Sequence, residues 1–291
     1  MWLYLLTVLI IEHKNSLILV YNKIKGGSIM TKSIDRTTSL VLRLIGEEDI
    51  NYLNEYASEV LNRQFIEFKN HNQIMEFFKK NLEYLYSNCT LEDIEILRYY
   101  TGIAYREINA ILRNNWSYET NGPLTEEKRS YYNELSNKVK NAIDKNYQLP
   151  SNIVTYRGVS LDSFKKFGIN SLQDIPSLKN QFIYDTGFTS TSLIRDKSFF
   201  NRNLEWHNNC NIEIQYLIPE ETEEAVPLLN EDMSYSTIQA EYLINKGSLS
   251  KVIDVTLDEK QNIAYIKMVY IPQKIWDKTR NRDIKQTTSR R

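Results

Sequence analysis

Asn211-Ile212-Glu213-Ile214-Gln215-Tyr216-Leu217-Ile218 sets the apolar series Ile212, Ile214, Tyr216 and Ile218 against Asn211, Glu213 and Gln215. A period of two is the mark of a strand with one face buried. Around it lie other short runs of the same kind: Ile153-Val154-Thr155-Tyr156, Phe182-Ile183-Tyr184, Tyr242-Leu243-Ile244, Lys251 to Leu257, and Ala264 to Ile271. The polar turn Asp258 to Asn262 makes the last two a hairpin. Every one of these runs lies after Pro150.

Before Pro150 the period is helical instead. Ile50, Leu53, Ala57, Val60 and Leu61 recur at a spacing of three and four behind Gly46, and Ile74, Phe77, Phe78, Leu82 and Leu85 repeat the pattern. Thr90 with Asp93 signals the N-terminus of a third helix, which the glycine of Thr101-Gly102 is expected to end. A fourth carries Tyr105, Ile108, Asn109, Leu112 and Arg113. After the turn signal Asn121-Gly122-Pro123, a fifth runs from about Thr125 to Lys145 with Tyr132, Leu135, Val139, Ala142 and Ile143 on one face. Helices followed by strands predict an α+β fold.

The chain has 291 residues, 42% hydrophobic and 25% charged, so it can bury a sizeable core. Its net charge of -1 offers no electrostatic reason to expect nucleic acid or an anionic membrane as partner. Cys89 and Cys210 make no disulfide framework. Neither they nor His13, His71 and His207 form a metal-ligand or catalytic pattern, so no metal is expected. Glu220, Glu221, Glu223 and Glu224 read as a solvated loop.

The apolar run Trp2 to Ile11 is too short to span a bilayer and lacks both the basic start and the small-residue cleavage site of a secretion signal. It reads either as a degraded signal or as an upstream extension, because Lys25-Gly26-Gly27 back-translates to a purine-rich sequence just ahead of Met30. The expected organisation is a non-core segment over residues 1–37, one domain over 38–273, and a disordered basic tail over 274–291.

The chemistry-bearing stretch is Ser236-Thr237-Ile238-Gln239-Ala240-Glu241-Tyr242-Leu243-Ile244-Asn245-Lys246-Gly247-Ser248, a polar loop entering an apolar strand. A strand places alternate side chains on one face, so Gln239 and Glu241 are expected to point together into one cleft, one amide beside one carboxylate. Upstream stand Thr155-Tyr156-Arg157-Gly158 and Gly187-Phe188-Thr189-Ser190-Thr191-Ser192-Leu193. An aromatic-Arg, an S-T-S and a Q-x-E in this order resemble the Arg-Ser-Glu class of mono-ADP-ribosyltransferase toxins. The glutamine of Q-x-E is similar to that of the single-domain exoenzymes that inactivate Rho GTPases. The resemblance spans roughly Glu47 to Pro272.

The resemblance implies a helical layer on a mixed β-sandwich, with NAD as substrate and no metal. Glu241 would hold the nicotinamide-ribose hydroxyl and offset the positive charge of an oxocarbenium-like transition state, Ser190 would orient it, and Thr191 would shape the cleft wall. Arg157 matches the motif arginine that contacts phosphate, a role for a planar guanidinium in a chain without a glycine-rich dinucleotide loop. Arg202, in Ser198-Phe199-Phe200-Asn201-Arg202, falls where the family has a second arginine, although Asn201 replaces a small residue. Gly158 stands where related toxins often carry a further arginine.

The segment Tyr100-Thr101-Gly102-Ile103-Ala104-Tyr105-Arg106-Glu107-Ile108-Asn109 looks like the family's cleft-lining helix, making Tyr100, Tyr105 and Asn109 expected NAD contacts. The implied acceptor is an asparagine of a host Rho-family GTPase, selected by Gln239 and touched by Tyr235. Arginine modification, as by actin-directed relatives, and an inactive binding protein of the same shape are the alternatives. The implied protein is secreted, acts in the host cytosol as a monomer, splits NAD slowly without an acceptor, and has no stable membrane anchor.

Overall fold

A computed structural model describes residues 8–13, 16–21, 47–114, 116–117, 122–123, 125–198, 210–234 and 237–278. The first half is helical: α1 (Glu47–Leu61), α2 (His71–Asn88), α3 (Leu91–Tyr99), α4 (Tyr105–Asn114) and α5 (Glu126–Ile143). Three of these starts are fixed by side chains that satisfy otherwise unpaired N–H groups. Asn70 caps α2 and Thr125 caps α5, while Thr90 and Asp93 form a reciprocal capping box on α3.

The expected stop at Thr101-Gly102 is absent. Tyr100–Ala104 instead forms a π-turn that joins α3 to α4 without leaving the helix, and Gly102 is not among the residues of positive φ. The wider turn inserts a residue and so rotates the face that α4 presents relative to α3.

The strands are β1 (Val8–His13), β2 (Ser16–Tyr21), β3 (Trp116–Ser117), β4 (Gly122–Pro123), β5 (Ile153–Val159), β6 (Phe182–Asp185), β7 (Thr189–Ser192), β8 (Ile212–Ile218), β9 (Ala225–Leu228), β10 (Glu241–Ile244), β11 (Ser248–Asp258) and β12 (Ile263–Ile271). Eight form one mixed sheet in the order β6-β11-β12-β8-β5-β7-β10-β9, in which only β12 and β8 run parallel. The α+β reading therefore holds. Strands also fall where none was expected: β7 over S-T-S, β9, the short pair β3 and β4, and the β1–β2 hairpin in the segment before residue 38, which pairs only with itself among the described residues.

Two apolar clusters sit on the sheet. The larger joins Ile74, Phe78, Leu97, Ile108, Val139 and Ile143 of the helices to Ile214, Tyr242 and Ile266 of the strands. The smaller packs Leu53, Tyr56, Ala57 and Val60 of α1 on Val154, Leu217, Val269 and Trp276. Trp276 lies in a helical stretch over 273–278, inside the expected tail, and is only 3% exposed. Residues 279–291 lie outside the described residues. Trp276→Ala should lower stability by about 3–5 kcal/mol, the range for truncating a large buried aromatic. Urea denaturation measures it, and an unchanged midpoint would place the segment off the core.

The run of glutamates is solvated only in part, at Glu220 and Glu223. Glu224 is 8% exposed and accepts hydrogen bonds from the Tyr270 hydroxyl at 2.7 Å and the Gln273 N–H at 2.5 Å, while Glu221 accepts from Arg63 at 2.7 Å. A buried carboxylate needs such donors. Spacing alone gave no sign of them.

The joint between β5 and β7 shapes the rest of the sheet. The two strands are paired at a single position, Tyr156 with Ser192, whereas β5 pairs with β8 over seven residues. Arg157 follows that pair on β5, and β7 with β10 lies on the other side of it.

Candidate active site

β10 runs antiparallel to β7 with Glu241 opposite Ser192 and Leu243 opposite Ser190. Ser190 is thus the diagonal neighbour of Glu241 on one face. Its hydroxyl donates to Glu241 Oε1 at 2.5 Å. Burial drives the Glu241 carboxyl up to about 7, with the Ser190 hydrogen bond and the Arg157 charge pulling the other way. The side chain is only 6% exposed.

Gln239 does not share a strand with Glu241. Thr237–Gln239 is a 3₁₀ turn, and Ala240 then takes φ 45° before the strand begins at Glu241. Strand alternation therefore does not govern how the two side chains point. A positive φ at alanine is costly, and here it is held by hydrogen bonds from the Ala240 N–H to Thr237 and from the Leu193 N–H to the Ala240 carbonyl. The strand is also interior, flanked by β7 and β9, not an edge.

The other two residues of S-T-S act on backbone. Thr191 Oγ1 donates to the Tyr242 carbonyl at 2.9 Å, and Ser192 Oγ lies 2.8 Å from the Gln239 carbonyl. S-T-S therefore holds the Gln239 turn and the start of β10 as well as the carboxylate.

Arg157 reaches the same crevice from β5. Tyr156, Arg157, Ser190, Thr191, Ser192, Lys197, Ser198 and Gln239 line it together. Arg157 Nη1 and Ser198 Oγ are buried there with no hydrogen-bond partner. Buried donors without partners are uncommon, and a guanidinium in that condition is suited to an anionic group. Lys197 and Ser198 were not expected from sequence. Ser198 stood in the stretch quoted for Arg202, but no spacing rule singles it out.

Tyr100 and Asn109 have a different setting from an open cleft wall. The Asn109 amide donates to the Tyr100 hydroxyl at 2.8 Å and its Oδ1 accepts from the Phe188 N–H at 2.8 Å. Tyr100 is 1% exposed, edge-on to Phe188, and burial raises its hydroxyl pKa. Tyr105, by contrast, is 37% exposed. Arg202 and Tyr235 lie outside the described residues. No group of three or more His, Cys, Asp or Glu among the described residues is arranged to hold a metal ion. No helix among them is long and apolar enough to cross a membrane.

Taken together, the crevice offers an arginine nitrogen without a protein partner and the Ser190 hydroxyl, which fixes the buried Glu241 carboxyl of raised pKa next to it. Comparison with known proteins points the same way. The profile of the ADP-ribosyltransferase exoenzymes matches residues 74–271. Among solved structures, C3stau2 from S. aureus, solved with NAD, is 17% identical with a TM-score of 0.56, over 72% of this chain and 100% of its own. The Clostridium limosum C3 exoenzyme is 19% identical with a TM-score of 0.54, over 72% and 98%. Plx2a, an ADP-ribosyltransferase toxin from Paenibacillus larvae, is 18% identical with a TM-score of 0.54, over 72% and 100%. At these identities the structural likeness concerns the fold. No curated protein matches.

Proposed function

The chain belongs to the ADP-ribosyltransferase exoenzyme family, and from that premise we propose that it transfers ADP-ribose from NAD to an asparagine of a host Rho-family GTPase. The observation that carries the reading is the Ser190–Glu241 hydrogen bond beside a buried arginine nitrogen with no protein partner. Arg157 takes a phosphate of NAD bidentately, and Arg202 adds a second cation. Glu241 accepts from a nicotinamide-ribose hydroxyl, so its negative charge faces the ribose. As the bond from the ribose carbon to the nicotinamide nitrogen breaks, the electron pair leaves with nicotinamide. Glu241 then stabilises the oxocarbenium ion that forms. The asparagine amide nitrogen attacks that carbon and loses one N–H proton to water. Thr191 supports the wall, Tyr100 and Asn109 line it from behind, and Tyr105 meets the nucleotide from the surface.

Gln239 is proposed to choose the acceptor. Its amide has both donors and an acceptor, which pair reciprocally with an asparagine amide, whereas a glutamate only accepts and suits a guanidinium. It sits beside Arg157 and Ser190 in the crevice, on the 3₁₀ turn that precedes Glu241. Tyr235, ahead of it, supplies an aromatic contact to the GTPase. Gln239→Glu should reduce labelling of the GTPase at least about tenfold, the scale of one mismatched polar contact, while NAD hydrolysis without acceptor persists. Labelled NAD and host-cell lysate, followed by mass mapping of the modified residue, test the assignment. Label on an arginine would favour the actin-type alternative, and no label with intact NAD binding would favour an inactive binding protein. Secretion and action in the host cytosol belong to the same proposal.

A further inference from the structure

The S-T-S strand is anchored at its entrance by a cluster that takes no direct part in the proposed chemistry. Arg113 of α4 donates from Nε to Asp185 Oδ1 and from Nη2 to Asp185 Oδ2, both at 2.8 Å, and Nη2 also reaches the Phe188 carbonyl at 2.7 Å. Asp185 in turn accepts from the Gly187 N–H at 3.0 Å and from Thr189 Oγ1 at 3.1 Å. On the other side of the same turn, Asn109 holds the Phe188 N–H. Residues 185, 187, 188 and 189 are thus each tied by at least one hydrogen bond, and Ser190 is the next residue.

The space leaves no slack. A Cβ at Gly187 would stand 2.7 Å from Asn109 Oδ1 and 2.8 Å from Arg113 Nε, so any larger residue would have to displace these two side chains. The ion pair is partly buried, with the two side chains 21% and 23% exposed. Its bidentate geometry fixes direction as well as distance.

We propose that the Arg113–Asp185 pair is a positioning element that, through the 185–189 turn, holds the Ser190 hydroxyl against Glu241. Neither residue touches the reacting atoms. The inference rests on the proposed role of Glu241, but it is tested by a property of the protein without substrate. The groups that act on Glu241 are the Ser190 hydroxyl on β7, the Arg157 guanidinium on β5 and the Tyr100 hydroxyl at the π-turn. Of these, Ser190 directly follows the clamped turn in the chain, and Tyr100 is joined to that turn through Asn109. If the turn loosens, Glu241 loses the hydrogen bond that favours its charged form, and its titration moves to higher pH.

The experiment is a carbon NMR titration of the full chain with labelled glutamate carboxyls, the Glu241 resonance being the one that disappears in Glu241→Gln. Arg113→Met, Asp185→Asn and the double variant are compared with wild type. All three should move the Glu241 midpoint upward by about half a pH unit or more, and the double variant should move it no further than the larger single, as expected for one coupled unit. Arg113→Lys should recover part of the shift. Thr189→Val removes only one hydroxyl from Asp185 and is the variant to read if the others do not fold; it should move the midpoint in the same direction. Val60→Ala, which loosens α1 where it packs on β12, should leave it in place. A Glu241 midpoint that stays at its wild-type value in folded Arg113→Met or Thr189→Val overturns the proposal. So does a shift of equal size in Val60→Ala. Loss of NAD turnover in the wild type would count against the proposed function and leave this readout standing.

Discussion

Glu241→Gln should reduce both ADP-ribose transfer and acceptor-free NAD hydrolysis by about 100- to 1000-fold or more, the scale of removing one preorganised charge-stabilising group, while NAD affinity changes little. The amide keeps the shape and can still meet Ser190, so the loss isolates the charge. Because that charge acts on the cation that forms as nicotinamide leaves, kcat should fall and substrate binding should not. Tyrosine and tryptophan fluorescence on NAD titration, beside nicotinamide release, separates the two. Unchanged turnover would remove Glu241 from the mechanism.

The same carboxyl sets a pH dependence with two opposite signs. Its value of about 7 in the folded site lies above the ordinary 4.5 because burial disfavours the charged form. Activity needs the carboxylate, so kcat/KM should rise with pH through a limb near 7. Stability runs the other way: a group whose folded pKa is raised contributes fully below its unfolded value and loses that contribution as pH rises through the folded one. Glu241 alone therefore makes the apo fold progressively less stable from about pH 4.5 to 7, and Glu241→Gln should flatten that part of the stability profile.

Arg157→Lys should weaken NAD binding by about 10- to 100-fold, corresponding to about 1.5–3 kcal/mol for a hydrogen bond to a charged group. Charge is kept in this variant, so the loss reports geometry: an ammonium cannot match two phosphate oxygens as a planar fork does. Arg157 Nη1 is buried with no protein partner, so little within the fold compensates for it except a ligand. Fluorescence titration with NAD measures the change. Equal affinity would make Arg157 a purely structural residue.

Much of this protein is legible in its amino-acid sequence. The two-residue period of Ile212, Ile214, Tyr216 and Ile218 and the three-to-four period of Ile74, Phe78, Leu82 and Leu85 each report one local geometry; burial of Ile74, Phe78 and Leu85 agrees with the second, whereas β8 is covered on both faces, with Glu213 and Leu217 buried as well as Ile212, Ile214 and Ile218. Caps were equally legible, because Thr90 and Asp93 satisfy N–H groups only a few residues away. The order Arg157, Ser190, Glu241 identified the family without any distance.

What escaped was set by partners remote in sequence or by the path of the backbone. Gly102 reads as a helix stop until the packing of Tyr100 and Ala104 in the core carries the helix through it as a π-turn. Gln239 reads as a strand neighbour of Glu241 until the positive φ of Ala240 takes it into a separate turn. Ile275 and Trp276 carry too short a pattern to mark a helix, and they are buried only because α1 and the sheet supply a pocket. Arg113 and Asp185 are 72 residues apart, and nothing near either announces the other. Local periodicity determined which segments are helices and strands, because it depends on neighbours a few bonds away. Only the tertiary structure decided how Ser190 meets Glu241, because that contact is made by strands and a helix that the chain brings together from three distant places.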